Sequence, residues 1–453
     1  MKLGSLAVTP FVISIAFLIT PAQSPEVSEI TRPRTVSSPA PQSERAQQAP
    51  AQAVQQRPQT PEPVQSPQPP PPLRPTGSPL VVPPQSVELA GTEPEVADSQ
   101  KTLRALAPQM IRARITEAER LFRSRPMQTS MAPSIQYVTL AALDQSTARI
   151  HQITLLKETF LTKGSEFQTT SSLGVPLSVR VLRANGVNTA VTIFDSQGHS
   201  LTPLLVEFPI EKRGVFRELA YYTSAHPALL SPELARSGQL YVRTMLDLAA
   251  KRLREKGAFV SPQIVDIAER LCLIEHVDHE RFRQEDRGAL FQEVYSLFAL
   301  NELNTYRYSV SSAGAGGMVQ MIPWAYNLMK QRHSGVGLTP DFVVGMRNHG
   351  NALQAMLLYM QDTWNDLAAD QEVQYALSAK LATQPELLAA GYNSNAARLP
   401  GYLKRGGSSW RILIPRETQM YLQIYKNFEA LVPMKPRSPT QAPIITPGAG
   451  NPN

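Results

Sequence analysis

The sequence predicts an α+β multidomain protein, a small antiparallel β-rich module followed by a mainly α domain, behind a disordered Pro-rich N-terminal linker. Three observations carry this. The 453 residues hold 40 prolines against 24 glycines, and residues 25–94 are dominated by Pro, Gln, Ser and Ala, a composition that cannot bury a core. Runs rich in β-branched residues, broken by turn residues, fill roughly 135–222. From Ser231 onward, apolar residues recur at helical spacing. At 49.9 kDa the chain exceeds one ordinary hydrophobic core. The proline has no Gly-X-Y period, which excludes collagen. A single cysteine, Cys272, excludes an intramolecular disulfide and thiolate metal sites built by one chain. A net charge of +7 over this length is a mild basic bias and no argument for nucleic acid.

In chain order, residues 1–22 have the layout of a signal peptide. Lys2 precedes an apolar run from Phe11 to Ile19, with Thr20 and Ala22 small enough for a cleavage site after Ala22. That run is short for a bilayer span, and no later segment is apolar enough to cross one. The expectation is export to a periplasm or cell envelope. Residues 23–98 form the linker, where Pro69–Pro72 favour an extended, semi-rigid polyproline II spacer. An amphipathic helix is expected over 99–130, interrupted or started near Pro108. The β-rich module follows over 131–225, read as a small sandwich or barrel. Its turn signals are Asp144-Gln145-Ser146, Asn185-Gly186 and Asp195-Ser196-Gln197-Gly198. The helical domain spans 226–432, with Ser261-Pro262 as an N-cap and first helical residue. Residues 433–453 are read as a disordered tail.

The chemistry is sought between Asn301 and Pro323. A helix rich in Leu and Phe ends in Glu302, followed by a polar loop and a Gly/Ala-rich turn. A carboxyl set against Phe298 and Leu303 would lose hydration, keep its proton, and so be able to protonate a glycosidic oxygen. Small residues at 313–317 would let backbone approach a bulky ligand. A rival cluster lies at Glu275-His276-Val277-Asp278-His279-Glu280. There, two imidazoles at i and i+3 could share a metal with Glu275 or Glu280. It lacks the HExxH order, and a charged, solvated helix end is the simpler reading.

The segment around Glu302 resembles the catalytic signature of the soluble lytic transglycosylase family, which is related in fold to goose-type lysozyme. From Glu302, Ser311 stands at +9 and Gly317-Met318-Val319-Gln320 ends at +18. Two further blocks follow in order: Ala390-Gly391-Tyr392-Asn393, and Ile414-Pro415-Arg416-Glu417-Thr418-Gln419-Met420-Tyr421. Leu303 stands where the family has Ser. The resemblance covers about 290–428 and does not reach the β-rich module. It implies a lysozyme-like fold for the helical domain and a peptidoglycan lytic transglycosylase without metal or other cofactor. Glu302 would be the sole general acid and then base. Ser311 and Gln320 would line the saccharide cleft, Tyr392 and Asn393 would sit near the scissile bond with Tyr392 orienting Glu302, and Glu417 and Tyr421 would complete the far wall. The bond would be that between N-acetylmuramic acid and N-acetylglucosamine, closed by the muramic 6-hydroxyl to a 1,6-anhydro end. An internal nucleophile makes a second carboxylate dispensable. Two alternatives keep the groove: a muramidase that uses water, and a wall-binding scaffold with a degenerate cleft. The implied partner is the glycan strand. An envelope protein would dock on the β-rich module or the linker.

Overall fold

The computed structural model describes residues 106–125 and 134–438; the expectations for 1–22, for 23–98 and for 439–453 fall outside them. The expected amphipathic helix is α1 (Pro108–Arg123), opened by Pro108 at a position where no intrahelical N–H is needed. One stripe of it, Ile111, Ala118 and Phe122, is buried, and the helix lies on strand β6.

Seven antiparallel strands form one curled sheet. They are β1 (Tyr137–Asp144), β2 (Arg149–Leu156), β3 (Glu166–Thr170), β4 (Pro176–Arg183), β5 (Ala190–Asp195), β6 (Ser200–Lys212) and β7 (Val215–Tyr222), with a short helix α2 (Lys157–Phe160) after β2. The order is β2-β1-β6-β5-β4-β3, and β7 also pairs with β6. The 13-residue β6 makes the curl possible. Its first residues pair with β5, and the rest pair with β1 and β7. The two ends of the order meet where Ser172 N–H donates to Gln152 O at 2.9 Å. Two predicted turns form as expected. Asp144 Oδ1 accepts from Ser146 N–H, and Asp195 Oδ1 from Gln197 and His199 N–H. The Asn185-Gly186 signal does not make a two-residue hairpin. A register shift near the end of β4 is followed by a turn over Gly186–Asn188, closed by Thr189 Oγ1, which accepts from Asn185 N–H and donates to Gly186 O.

The helical part begins with α3 (Pro232–Glu255), capped by Ser231, and α4 (Pro262–Ile274), capped by Ser261 as expected. Then come α5 (His279–Gln284), α6 (Arg287–Asn301), α7 (Pro323–Arg332), α8 (Phe342–Arg347), α9 (His349–Ala369), α10 (Gln371–Ser378), α11 (Gln384–Asn393), α12 (Leu399–Gly406) and α13 (Arg416–Leu431). Helix α6 is buried from Val294 to Ala299, while Arg287, Ala289 and Gln292 nearer its start are exposed. Its Phe291 and Phe298 are fully covered, each contributing about 2 kcal/mol through burial. Helix α3 crosses it so closely that a Cβ on Gly238 would lie 1.8 Å from Tyr295 O. No other residue fits there.

Sheet and helices share a core that runs from Val138 and Phe208 to Phe298 and Leu353. At their junction Asn301, the last residue of α6, accepts from Thr223 N–H at 2.7 Å and donates to Thr223 O at 2.9 Å. The chain beyond α13 corrects the expectation of a tail starting at residue 433. Arg437 lies against α3 and α4, paired with Asp247, Asp266 and Glu269. Its guanidinium, together with that of Arg243, offsets the burial of Glu269. Among the described residues no helix is long and apolar enough to cross a membrane.

Candidate active site

The expected acid, Glu302, is not in a dry setting. Its neighbour Asn301 turns inward to bond Thr223, and Thr305 turns inward to donate to Leu297 O. Residues 302–304 are left as an outward turn. Glu302 takes φ 47°, a costly backbone conformation for a side-chain-bearing residue. Its side chain is 62% exposed and faces Arg112 of α1 at 3.4 Å, and Leu303 beside it is 58% exposed. Tyr392 does not orient it, because the Tyr392 hydroxyl donates to Val319 O at 2.7 Å.

The other residues expected at the site divide into two adjoining sets. Ser311 and Gln320 line one small open recess with His276, Tyr306, Tyr308 and Ser309, and neither Glu302 nor Glu275 is among its lining residues. The Gly/Ala-rich segment builds this wall. Ser311 N–H donates to Ala315 O, and the Ser311 hydroxyl accepts from Ala315 N–H. Gly317 takes φ 68° with its α-carbon against Met346, where a Cβ would come 2.3 Å from Met346 O. Gln320 (φ 47°) donates to Gly317 O and Ser309 Oγ. Backbone held in such regions is concentrated at functional sites.

The second set gathers on a different carboxylate, Glu275. It follows α4 directly, as Glu302 follows α6, but it is half-buried. The Tyr421 hydroxyl donates to Glu275 Oε1 at 2.7 Å. Burial pushes Tyr421, Tyr392 and the Cys272 thiol upward, and the negative charge of Glu275 adds to each shift. All three therefore stay neutral near pH 7; of them the Tyr421 hydroxyl donates to the carboxyl, while Tyr392 donates to Val319 O and the Cys272 thiol to Met356 Sδ. Two neighbours of Glu275 bond the backbone between Gly317 and Gln320. His276 Nε2 hydrogen-bonds Met318 O at 2.9 Å while the Tyr392 hydroxyl holds Val319 O. A ring nitrogen that meets a carbonyl oxygen must carry its proton, so His276 Nε2 is not a metal ligand. The same ring stacks on Tyr306 at 3.4 Å between centroids. The reading of 275–280 as a solvated helix end therefore fails at Glu275 and His276, both drawn inward by these contacts. Among the described residues no group of three or more His, Cys, Asp or Glu side chains is arranged to hold a metal ion.

Asn393, next to Tyr392, has a buried Oδ1 with no hydrogen-bond partner in the structure, an acceptor that a ligand N–H or O–H would satisfy. Glu417 stands half-buried in the first turn of α13, one turn before Tyr421. The structure thus joins Ser311 and Gln320 on one wall, sets Tyr392 and Tyr421 around Glu275, and leaves Glu302 outside. Sequence reading missed Glu275 as an acid, although a signal was present: the apolar run of α4 ends in a carboxylate just as that of α6 does.

A half-buried carboxyl that takes a hydrogen bond from a neutral phenol, next in sequence to a histidine that lines the recess, can give a proton and take it back. No protein-family model matches the chain, and neither does any curated protein or solved structure.

Proposed function

We propose that the chain is an exported peptidoglycan lytic transglycosylase of the cell envelope, with a lysozyme-like helical domain, in which Glu275 rather than Glu302 is the general acid and base. The observation that carries this reading is the Tyr421–Glu275 hydrogen bond, flanked by Tyr392. Two of the three blocks that resemble the transglycosylase family supply these tyrosines, and the third supplies Ser311 and Gln320 on the adjoining wall. In its protonated form the Glu275 carboxyl can donate to the bridging oxygen between N-acetylmuramic acid and N-acetylglucosamine. As the bond breaks, the carboxylate left behind is stabilised by the Tyr421 hydroxyl. It then takes the proton of the muramic 6-hydroxyl as that oxygen closes onto C1, giving a 1,6-anhydro end and a free 4-hydroxyl on the departing sugar. The nucleophile belongs to the substrate, so one carboxylate serves both halves of the reaction.

Mass spectrometry of fragments released from purified sacculi tests this. The wild-type chain and Glu302→Gln should both yield anhydromuramyl ends, and Glu275→Gln should yield none. Fragments one water heavier, with reducing muramic ends, would make the protein a muramidase with the same acid. No release by the wild type would leave a wall-binding scaffold.

A further inference from the structure

The recess lined by His276, the residue after Glu275, has a second wall, which comes from the β-sheet. Asn185, Gly186, Val187 and Asn188, the turn between β4 and β5, line it opposite Ser311 and Gln320. Asn188 is 8% exposed, and its Oδ1 has no hydrogen-bond partner in the structure. A buried acceptor without a donor costs about 1–3 kcal/mol, and the residue that carries it is one of those lining the recess. The turn that carries it is firmly held. Thr189 Oγ1 bridges Asn185 N–H and Gly186 O, and the Ser224 hydroxyl donates to Thr189 O at 2.9 Å. The recess floor is aromatic, with Tyr306 stacked on His276. Stacked rings below and a few fixed polar groups on each side suit a ring-shaped ligand that has both an apolar face and N–H and O–H donors.

We propose that the Asn185–Asn188 turn is one wall of a saccharide subsite, and that Asn188 Oδ1 accepts a hydrogen bond from an N-acetylated amino sugar held against Ser311 and Gln320. The sheet is then a substrate-positioning part of the cleft. The proposal rests on the glycan-cleaving reading for its ligand class.

The test measures binding of an N-acetylglucosamine tetramer by calorimetry, using the full chain carrying Glu275→Gln so that nothing is cleaved. Adding Asn188→Leu should weaken binding about tenfold, the loss of one hydrogen bond, and should raise the melting temperature by about 1–3 °C, because an unpaired buried polar atom has been removed. Asn188→Ala, with less bulk, should weaken binding to the same degree, which separates loss of the acceptor from steric blockage. Tetramer affinity unchanged in both variants would overturn the subsite while leaving the enzyme reading intact. So would a lowered melting temperature in both, since Asn188 would then be a structural residue. Failure of the Glu275→Gln chain to bind the tetramer at all, with no anhydro products from wild type, would instead remove the glycan reading beneath the proposal.

Discussion

Two helices of this protein end in a glutamate, and the two ends could hardly differ more. After α6, Glu302 turns outward at φ 47°, and its carboxylate meets water and Arg112. After α4, Glu275 keeps helical dihedrals (φ −56°, ψ −17°) and remains folded against Tyr421, Tyr392 and Cys272. The difference originates one residue away. The inward position at the end of α6 is taken by its last residue, Asn301, whose amide is used up bonding Thr223 and Leu297 O. After α4, His276 bonds Met318 O and draws the chain inward, carrying Glu275 with it. A helix end is thus no guide to a carboxyl's chemistry until its neighbours are known.

The sharpest way to break this comparison is to remove each carboxylate in turn. Glu275→Gln should slow the clearing of purified sacculi by about 10³-fold, the range for loss of a general acid–base, whereas Glu302→Gln should stay within about twofold. The opposite ranking in a turbidity assay would return the acid to the end of α6.

The turn after α6 is pinned from below by His349, which should show in the pH dependence of stability. His349 Nε2 donates to Thr305 O and Nδ1 accepts from the Tyr241 hydroxyl, and burial pushes its pKa down to about 4. Below its unfolded value of about 6.5 the unfolded chain takes up a proton that the folded chain refuses. Its contribution is therefore fully present above that value and is lost as pH falls toward 4, by about 3 kcal/mol. His226, also lowered to about 4 by burial, adds a loss of the same sign. Denaturant unfolding at pH 7, 5.5 and 4 should show the decline, and His349→Gln should make it shallower.

A smaller effect is expected at the phenol on Glu275. Tyr421→Phe keeps the buried ring and removes only the hydrogen bond, so kcat on sacculi should fall about tenfold with the melting temperature nearly unchanged. Unaltered kcat would mean that the bond is structural. Smallest is Arg112→Ala. The pair it breaks is exposed on both sides, and such pairs contribute about 0.5 kcal/mol or less. Denaturant midpoints should be almost superimposable.

Much of the architecture is legible along the chain, because local chemistry decides it. Pro108 opens α1, Ser261 caps α4, and Asp144 and Asp195 bond the N–H groups of their own turns. The Asn185-Gly186 turn was misjudged because Thr189, beyond the dipeptide, sets its length. At the site, Ser311, Gln320, Tyr392 and Tyr421 gather near one another, but the choice of carboxylate does not follow from spacing. Offsets of +9 and +18 from Glu302 measure chain length, and α5 and α6 separate Glu275 from Ser311 in sequence while the fold brings their neighbourhoods together. Burial of a helix end by a residue 146 positions away, as Tyr421 buries Glu275, leaves no local trace.

The paired bonds between Asn301 and Thr223 have a consequence for how the chain can be divided. A cut between residues 225 and 226, where composition changes from strand to helix, would strand an amide at the end of α6 and lay bare the side of the core now covered by Tyr222. Neither fragment could be expected to stand alone, and any ancestor or engineered relative that exchanged its sheet would have to rebuild the foot of that helix in the same step.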